Sequence, residues 1–356
     1  MKIASIVGAR PEFIQAYPVS KAIRQKHQEI LIHTGQHYDY QMSQAFFDDL
    51  GLPDPDHNLE VGSGAHGFQT AQIMIRLEKV FEIEKPDIVI IRGDTNSTLA
   101  AALVASKLHV PLAHIEAGER SYNRLMPEEI NRLVADTLSN LHLCASQTAV
   151  RRLAAEGITH SVRWVGDVMY DLMTQIMPIA EKKSKIMKQL NLEKKEYSLV
   201  TIHRSENTDN FRRLREIVWA LNRVGERIIF PIHPRTKKAM AEIDLEVEEN
   251  VIAIDPVGYF DMLILERNAR LIATDSGGVQ REAYFHGIPC LTLRDDTEWV
   301  ETVDVGWNLL VGANSERIIS NWFDFSPPIE RPAIFGDGHA GFRIASIIEK
   351  WDFNLR

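Results

Sequence analysis

The sequence predicts an α/β protein built from two doubly wound, Rossmann-like domains facing a cleft. Three observations predict it. Short apolar, β-rich runs alternate with helical patterns along the whole chain. Almost every run ends in a turn containing Gly, Pro, Asn or Ser and then passes into a helix, the pattern of parallel strands with crossover helices. The chain has 356 residues, more than one ordinary core organises.

The strands expected in the first half are Lys2–Val7, Glu29–His33, Ile88–Arg92, Leu112–Glu116 and His142–Ala145. Those in the second half are Tyr197–His203, Ile228–Pro231, Val251–Ile254, Leu271–Thr274 and Pro289–Leu293. Each half has the size of one doubly wound domain, and the change between them is expected at 165/166. The Lys-rich stretch Glu181–Lys195 lacks a strand pattern and is read as a solvated helix near that boundary. In open parallel sheets the loops after the strands carry the ligands, so the chemistry is sought there.

Composition narrows the function classes. A net charge of −9 argues against a nucleic-acid or membrane-surface partner. A phosphate ligand remains compatible, because such a site needs only a few local groups. Cys144 and Cys290 have no disulfide or metal spacing, which fits a reducing compartment. The N-terminus lacks the pattern of a secretory signal, and no stretch reaches the roughly 18 apolar residues of a membrane span. A cytoplasmic protein is expected.

After the first strand, Gly8-Ala9-Arg10-Pro11 combines a glycine suited to a tight turn with a proline suited to a helix start. Arg10 stands where a phosphate or carboxylate would lie, unless it simply pairs with a surface acid. The run is not GxGxxG, so no dinucleotide is implied. After Ile88–Arg92 comes Gly93-Asp94-Thr95, where Asp94 is either a functional carboxylate or the cap of the following helix. Glu116 ends the next strand beside Ala117-Gly118, a costly position for a carboxylate without a partner or a use.

Pro127 should start a helix on which Glu128, Asn131 and Arg132 share a face. The dipole and a salt bridge explain Glu129 more readily than Glu128. Asp94, Glu116 and Glu128 thus arise from successive strand-end loops of one domain. Clustered acids raise one another's pKa and can serve as general acid and base.

In the second half His203-Arg204 and His233-Pro234-Arg235 follow strands, and either histidine could be a loop cap. Asp275-Ser276-Gly277-Gly278 opens a helix and offers several backbone N–H groups to a diphosphate. A helix cap explains Ser276 and one glycine, but not readily both glycines. Glu282, four residues past Gly278, can accept hydrogen bonds from ribose hydroxyls.

Together these motifs, with Phe335-Gly336-Asp337-Gly338, resemble in order and spacing the non-hydrolysing UDP-N-acetylglucosamine 2-epimerases, relatives acting on UDP-2,3-diacetamido-glucuronic acid included. The resemblance implies a GT-B-like fold, with 342–356 crossing back onto the first domain and 166–341 binding UDP. It implies removal of the C2 proton as UDP leaves C1, giving a glycal, then return of the proton to the opposite face, with no metal and no cofactor. Asp94, Glu116 and Glu128 would be the acid/base set. Arg10, Arg132 and His203 would stabilise departing UDP, while Ser276, Gly277 and Glu282 hold diphosphate and ribose, beside Gly278 and His233. A second UDP-GlcNAc would bind as activator near Gln36, His37, Met42 and Gln69, and a homodimer is expected.

Two departures stand out. Gln15 occupies a position where the family commonly has Lys, and Thr297-Glu298-Trp299-Val300 replaces Thr-Glu-Arg-Pro. The Trp form looks more like the diacetamido relatives. A GT-B glycosyltransferase and a non-catalytic UDP-sugar-binding protein are the competing readings. The transferase has no need of three acids in one domain, and Gln15 is the single hint of the binder.

Overall fold

A computed structural model describes residues 1–36 and 54–353, apart from the side chains of Arg10 and Pro11. The chain forms two compact units, Met1–Thr174 with Ala333–Arg356, and Gln175–Pro332.

The first unit runs β1 (Lys2–Val7), α1 (Arg10–Ile23), β2 (Gln28–His33), β3 (His57–Asn58), α2 (His66–Glu84), β4 (Ile88–Arg92) and α3 (Asn96–Lys107). It continues with β5 (Leu112–Ile115), α4 (Pro127–Leu138), β6 (Leu141–Cys144), α5 (Gln147–Ala155), β7 (Val162–Trp164) and α6 (Val168–Lys183), which crosses the unit boundary. Among the described residues its seven strands lie in the order β3-β2-β1-β4-β5-β6-β7, all parallel.

The second unit contains α7 (Ile186–Gln189), β8 (Ser198–Thr201), α8 (Ser205–Thr208), α9 (Phe211–Arg223), β9 (Ile228–Pro231), α10 (Pro234–Ala241), β10 (Val251–Ile254) and α11 (Tyr259–Asn268). Then come β11 (Leu271–Thr274), α12 (Gly277–His286), β12 (Cys290–Thr292), α13 (Val300–Asp304), β13 (Asn308–Leu310) and α14 (Ser315–Asp324). The order of this six-stranded parallel sheet is β10-β9-β8-β11-β12-β13. The last helix, α15 (Ala340–Lys350), belongs to the first unit.

Side-chain alternation along the strands feeds two core layers in the first unit. Val89 and Ile91 of β4 join Ile6, Ile32, Ile73 and Leu77 on one face. Ile88 and Ile90 join Val19, Ile23, Ile344 and Ile348 on the other. The α15 helix therefore buries its apolar stripe against α1 and the sheet, as the return of 342–356 required. In the second unit Leu214, Ile217, Val218 and Leu221 of α9 pack with Phe230, Leu271, Leu291 and Trp322.

The units change at 174/175 and 332/333, where the sequence suggested 165/166 and 341/342. Local ties account for the difference. Asp167 N donates to Phe335 O at 2.9 Å. A Cβ on Gly166 would come within 2.9 Å of Phe335 O, and Gly166 itself has φ +92°. Asp171 accepts from Ala340 N and Gly341 N at 2.9 and 2.8 Å, capping α15 with a carboxylate. These contacts fasten residues 333–341 to the first unit.

The ten expected strands are present, several ending earlier than expected. β8 stops at Thr201 and β5 at Ile115, because Glu116 turns to φ +68°. Three short strands went unread: β3, β7 and β13, of two or three residues each.

Candidate active site

In each sheet the strand order reverses at one point, between β1 and β4 and between β8 and β11. Loops leaving neighbouring strands there diverge and open a crevice. The residues Gly8–Arg10 follow β1 and Gly93-Asp94 follow β4. His203-Arg204 follow β8 by one residue and Asp275-Ser276 follow β11. Four of the motifs found in the sequence thus stand at switch points.

In the first unit Asp94 is not the cap of α3. That role falls to Thr95, whose hydroxyl accepts from Ser97 N and Thr98 N. Asp94 instead receives Arg132 Nη2 on its Oδ2 at 2.5 Å. Arg132 also reaches Glu129 Oε2 at 3.1 Å. Asn131, one residue before, donates to Asp94 O at 2.8 Å and fixes the backbone of the same loop. Burial pushes the Asp94 carboxyl above its ordinary range. Arg132 opposes this, and the neighbouring charges of Glu116 and Glu128 reinforce it. Asp94 therefore feels the charge of both other acids.

Glu129 is structural, as its position suggested. It is buried and accepts from Ser121 N, Ser121 Oγ and Tyr122 N, so it ties the preceding loop to the first turn of α4. Glu128, beside it, is exposed, and its charge acts on Asp94.

Glu116 occupies left-handed backbone at φ +68°, an uncommon conformation for a non-glycine residue. Such positions cost of order 1–3 kcal/mol and cluster at functional sites. Its backbone is held by Glu116 N to Leu143 O at 3.0 Å. Its Oε2 accepts from Gln15 Nε2 at 2.7 Å. Gln15 therefore offers Glu116 a neutral donor where a Lys would bring a charge. Behind the loops, His114 Nδ1 meets Asp136 Oδ1 at 2.7 Å and its Nε2 meets Gly93 O at 2.8 Å. The ring thus bridges Asp136 and the carbonyl just before Asp94. Arg120 in turn pairs with Asp136 at 2.7 Å.

Glu12 is a site-organising residue that sequence reasoning missed. It is 3 % exposed. It accepts from Gly8 N, Ala9 N, Thr95 Oγ1 and Thr98 Oγ1 at 2.5, 2.9, 2.6 and 3.1 Å, joining the loops after β1 and β4. The signal was present: Glu12 is the N3 residue of a proline-started helix, where acids cap backbone N–H groups. Gly8 also acts differently from expectation. A Cβ there would lie 2.0 Å from Ser97 Oγ, so crowding, rather than a turn, demands glycine.

Of the proposed activator residues, Gln36 and Gln69 come together. Gln36 Oε1 accepts from Ser97 N and Ser97 Oγ at 3.0 and 2.6 Å. Gln69 Nε2 donates to Gln36 O at 3.3 Å, and its Oε1 accepts from Asn96 Nδ2 at 2.8 Å. His37, Met42 and the Arg10 side chain lie outside the described residues.

In the second unit Asp275 organises the loop after β8. Its carboxylate accepts from His203 N, Arg204 N and Asn207 Nδ2 at 3.0–3.1 Å. His203 Nδ1 lies 3.4 Å from Asp275 Oδ1, and its ring sits 5.6 Å from that of His233. Burial lowers the His203 pKa. Asp275 opposes that, while Arg204, His233 and Arg235 add to it. His233 is the N-cap of α10, with Nδ1 accepting from Arg235 N at 3.2 Å.

Ser276 caps α12 through Val279 N. The two following glycines differ. A Cβ on Gly277 would come within 2.8 Å of Glu298 Oε1 and 3.2 Å of Trp299 Nε1, so packing of the Thr297–Val300 segment explains it. A Cβ on Gly278 would meet only Ser276 Oγ, at 3.8 Å. Glu298 pairs with Arg294 at 2.8 Å and with Arg204 at 3.4 Å, and Trp299 lies under the Arg281 guanidinium at 4.0 Å. Glu282, on α12, is 9 % exposed and accepts from Tyr259 Oη at 3.3 Å.

Two parallel doubly wound sheets with strand-end acids on one and a glycine-opened helix start on the other define a GT-B-like nucleotide-sugar enzyme architecture. The chain belongs to the UDP-N-acetylglucosamine 2-epimerase family, whose sequence model matches residues 21–349. A Methanococcus maripaludis protein named as a UDP-N-acetylglucosamine 2-epimerase homolog is 50 % identical, covering 98 % of this chain and 99 % of its own. The UDP-2,3-diacetamido-2,3-dideoxy-D-glucuronate 2-epimerase of Pseudomonas aeruginosa is 45 % identical, over 98 % of this chain and all of its own. The crystal structure of Methanocaldococcus jannaschii UDP-GlcNAc 2-epimerase in complex with UDP-GlcNAc and UDP superposes with a TM-score of 0.89 at 44 % identity, covering 99 % of this chain and 100 % of that one.

Proposed function

We propose that this chain interconverts UDP-N-acetylglucosamine and UDP-N-acetylmannosamine by elimination and re-addition of UDP. The observation that carries the reading is Asp94 at the switch point, paired with Arg132 at 2.5 Å and held above its ordinary carboxylate range by burial, with the charges of Glu116 and Glu128 adding to the shift. A carboxylate takes the C2 proton, the C–H electron pair becomes the C1=C2 bond, and the C1–O bond breaks to release UDP. A second acid then delivers a proton to the opposite face as UDP adds back. Arg10, Arg132 and His203 stabilise the charge that grows on UDP, and Ser276, Gly277, Gly278, His233 and Glu282 hold the nucleotide. Gln15 positions Glu116.

Incubation of the purified protein with UDP-N-acetylglucosamine in D₂O tests this. Deuterium at C2 together with the manno epimer is the expected outcome. Binding without exchange would make the protein a UDP-sugar binder, and UDP release dependent on an acceptor would make it a glycosyltransferase.

One observation favours a second substrate. Trp299 stands where Arg is usual in the Thr-Glu-Arg-Pro segment, and its ring lies under Arg281. We therefore propose UDP-2,3-diacetamido-2,3-dideoxy-glucuronic acid as the alternative, decided by comparing kcat/KM for the two sugars. Gln36 and Gln69, joined to Asn96 and Ser97, support a second UDP-N-acetylglucosamine acting as activator near the loop that carries Asp94. Sigmoidal initial rates are expected. The proposed setting is a cytoplasmic homodimer supplying polysaccharide precursors. The two buried free cysteines fit a reducing compartment, and sedimentation tests the dimer.

A further inference from the structure

The second unit carries a buried carboxyl that none of these roles uses. Glu266, on α11, is 0 % exposed. Among the described residues no N–H or O–H donor reaches either of its carboxyl oxygens. The group within hydrogen-bonding range is another carboxyl, that of Glu282 on the neighbouring α12. Two carboxylates both accept and cannot bond to each other. With one proton between them, one becomes a donor and the repulsion disappears.

The surroundings give that proton no competitor. His286 Nε2 stands 3.8 Å from Glu266 Oε2. Burial pushes this imidazole down to about 3, so it is neutral and supplies no counter-charge. Tyr197 and Cys290 also sense Glu266, and burial raises both, so they too are uncharged. The nearby cations are committed elsewhere. Arg267 pairs with Glu181, Lys195 donates to Ala269 O, and Arg331 donates to Tyr284 O and Phe285 O. Tyr259 Oη reaches Glu282 rather than Glu266. Burial, reinforced by Glu282, holds Glu266 well above the usual carboxylate range.

We propose that Glu266 is a positioning residue for nucleotide binding: it keeps the proton of the Glu266–Glu282 pair and donates it as a hydrogen bond to Glu282. Glu282 then remains a singly charged, oriented acceptor for the ribose hydroxyls of UDP. This rests on the assignment of Glu282 to the ribose made above. Three groups on two helices divide the work: Tyr259 and Glu266 each donate to Glu282, and Glu282 turns its remaining lone pairs to the nucleotide. Alkaline pH strips the shared proton, makes the pair doubly anionic and drives Glu282 out of position.

Calorimetric titration with UDP between pH 6.5 and 9.5 tests the proposal on the full-length wild type and on E266Q, E266L and E282Q. A glutamine at 266 donates at every pH. E266Q is expected to bind UDP within about threefold of wild type at pH 7, and the ratio of its affinity to wild type should climb as pH rises. The ratio cancels the titration of UDP itself. E266L should bind about tenfold or more weakly, the loss expected for a hydrogen bond to a charged group. A ratio for E266Q that stays flat across the range overturns the proposal, whether or not E266L folds, and so does wild-type affinity in a folded E266L. Unchanged affinity in E282Q would instead remove the ribose assignment, and absence of UDP binding by wild type would remove the proposed function itself.

Discussion

Arg132 Nη2 sits 2.5 Å from Asp94 Oδ2 while its Nη1 holds Glu129 Oε2 at 3.1 Å, so one guanidinium spans two carboxylates with different tasks. Glu129 anchors the 121–122 loop, and Asp94 is left as the carboxyl at the switch point. Burial raises Asp94, and Arg132 is the main influence lowering it. Acting as a base, Asp94 must be ionised. Activity should therefore fall with decreasing pH at a point above the ordinary carboxylate range. Removing the cation in R132Q should move that acid limb to higher pH, visible in a pH profile of kcat/KM. D94N should lower kcat by about 10²–10⁴ while UDP still binds. Equal, modest losses of binding and rate would contradict the role.

Gln15 is the donor that meets Glu116, a residue already held in left-handed backbone. Q15L keeps the volume and deletes the hydrogen bond. We expect kcat to fall about tenfold with UDP affinity unchanged, the scale of one hydrogen bond to a charged acceptor. A loss confined to KM would show that Gln15 serves binding and not the geometry of Glu116.

His203 has its pKa lowered, chiefly by burial, so in the free protein it is neutral at pH 7 and gains a proton only below its ordinary range. Arrival of a UDP dianion favours the charged form and should raise the titration point, which ¹H–¹³C spectra of the imidazole measure directly. H203A should cost about 10²–10³ in kcat, as for loss of one group facing developing negative charge. An imidazole signal indifferent to UDP would separate His203 from the nucleotide.

Glu12 receives four donors from two loops. Leucine there strands two backbone N–H groups and two hydroxyls in the interior. E12L should lose about 3 kcal/mol in urea denaturation. E12Q can still accept from Gly8 N and Ala9 N while its amide faces the threonine hydroxyls, which are able to rotate. Its loss should stay near 1 kcal/mol. Equal losses in both variants would mean that volume, and not donor satisfaction, matters at this position.

Much of the fold was legible because buried parallel strands are written as compact apolar runs. Ile88-Val89-Ile90-Ile91 carries its own boundaries, with Asp87 before it and Gly93 after it. His57-Asn58 carries none: an edge strand of two residues has no periodicity to read, and pairing with Ile32 and His33 alone creates it. The site was legible where a residue stands at a strand end beside glycine, as Asp94 and Glu116 do. It stayed ambiguous where two adjacent residues compete for one task. Asp94 and Thr95 are both good helix caps, and only the backbone geometry awards the cap to Thr95 and frees Asp94 for Arg132. The full roles of Glu12 and Glu266 lay outside the local sequence for another reason. Glu12 shows its cap role locally, but its link to Thr95 comes from 83 residues away, and the partner of Glu266 stands on a neighbouring helix.

Residues 175–332 form one unbroken stretch, whereas the other unit needs both ends of the chain. Ile344 and Ile348 complete the layer formed by Ile3, Val19 and Ile88. On the ribosome, synthesis proceeds from the N-terminus, so the inserted unit has all its residues before its host does. The usual order, in which the leading domain matures first, is reversed here. Until α15 emerges, the earliest-made sheet keeps one greasy side open to water, and a premature stop ahead of that helix would expose it permanently.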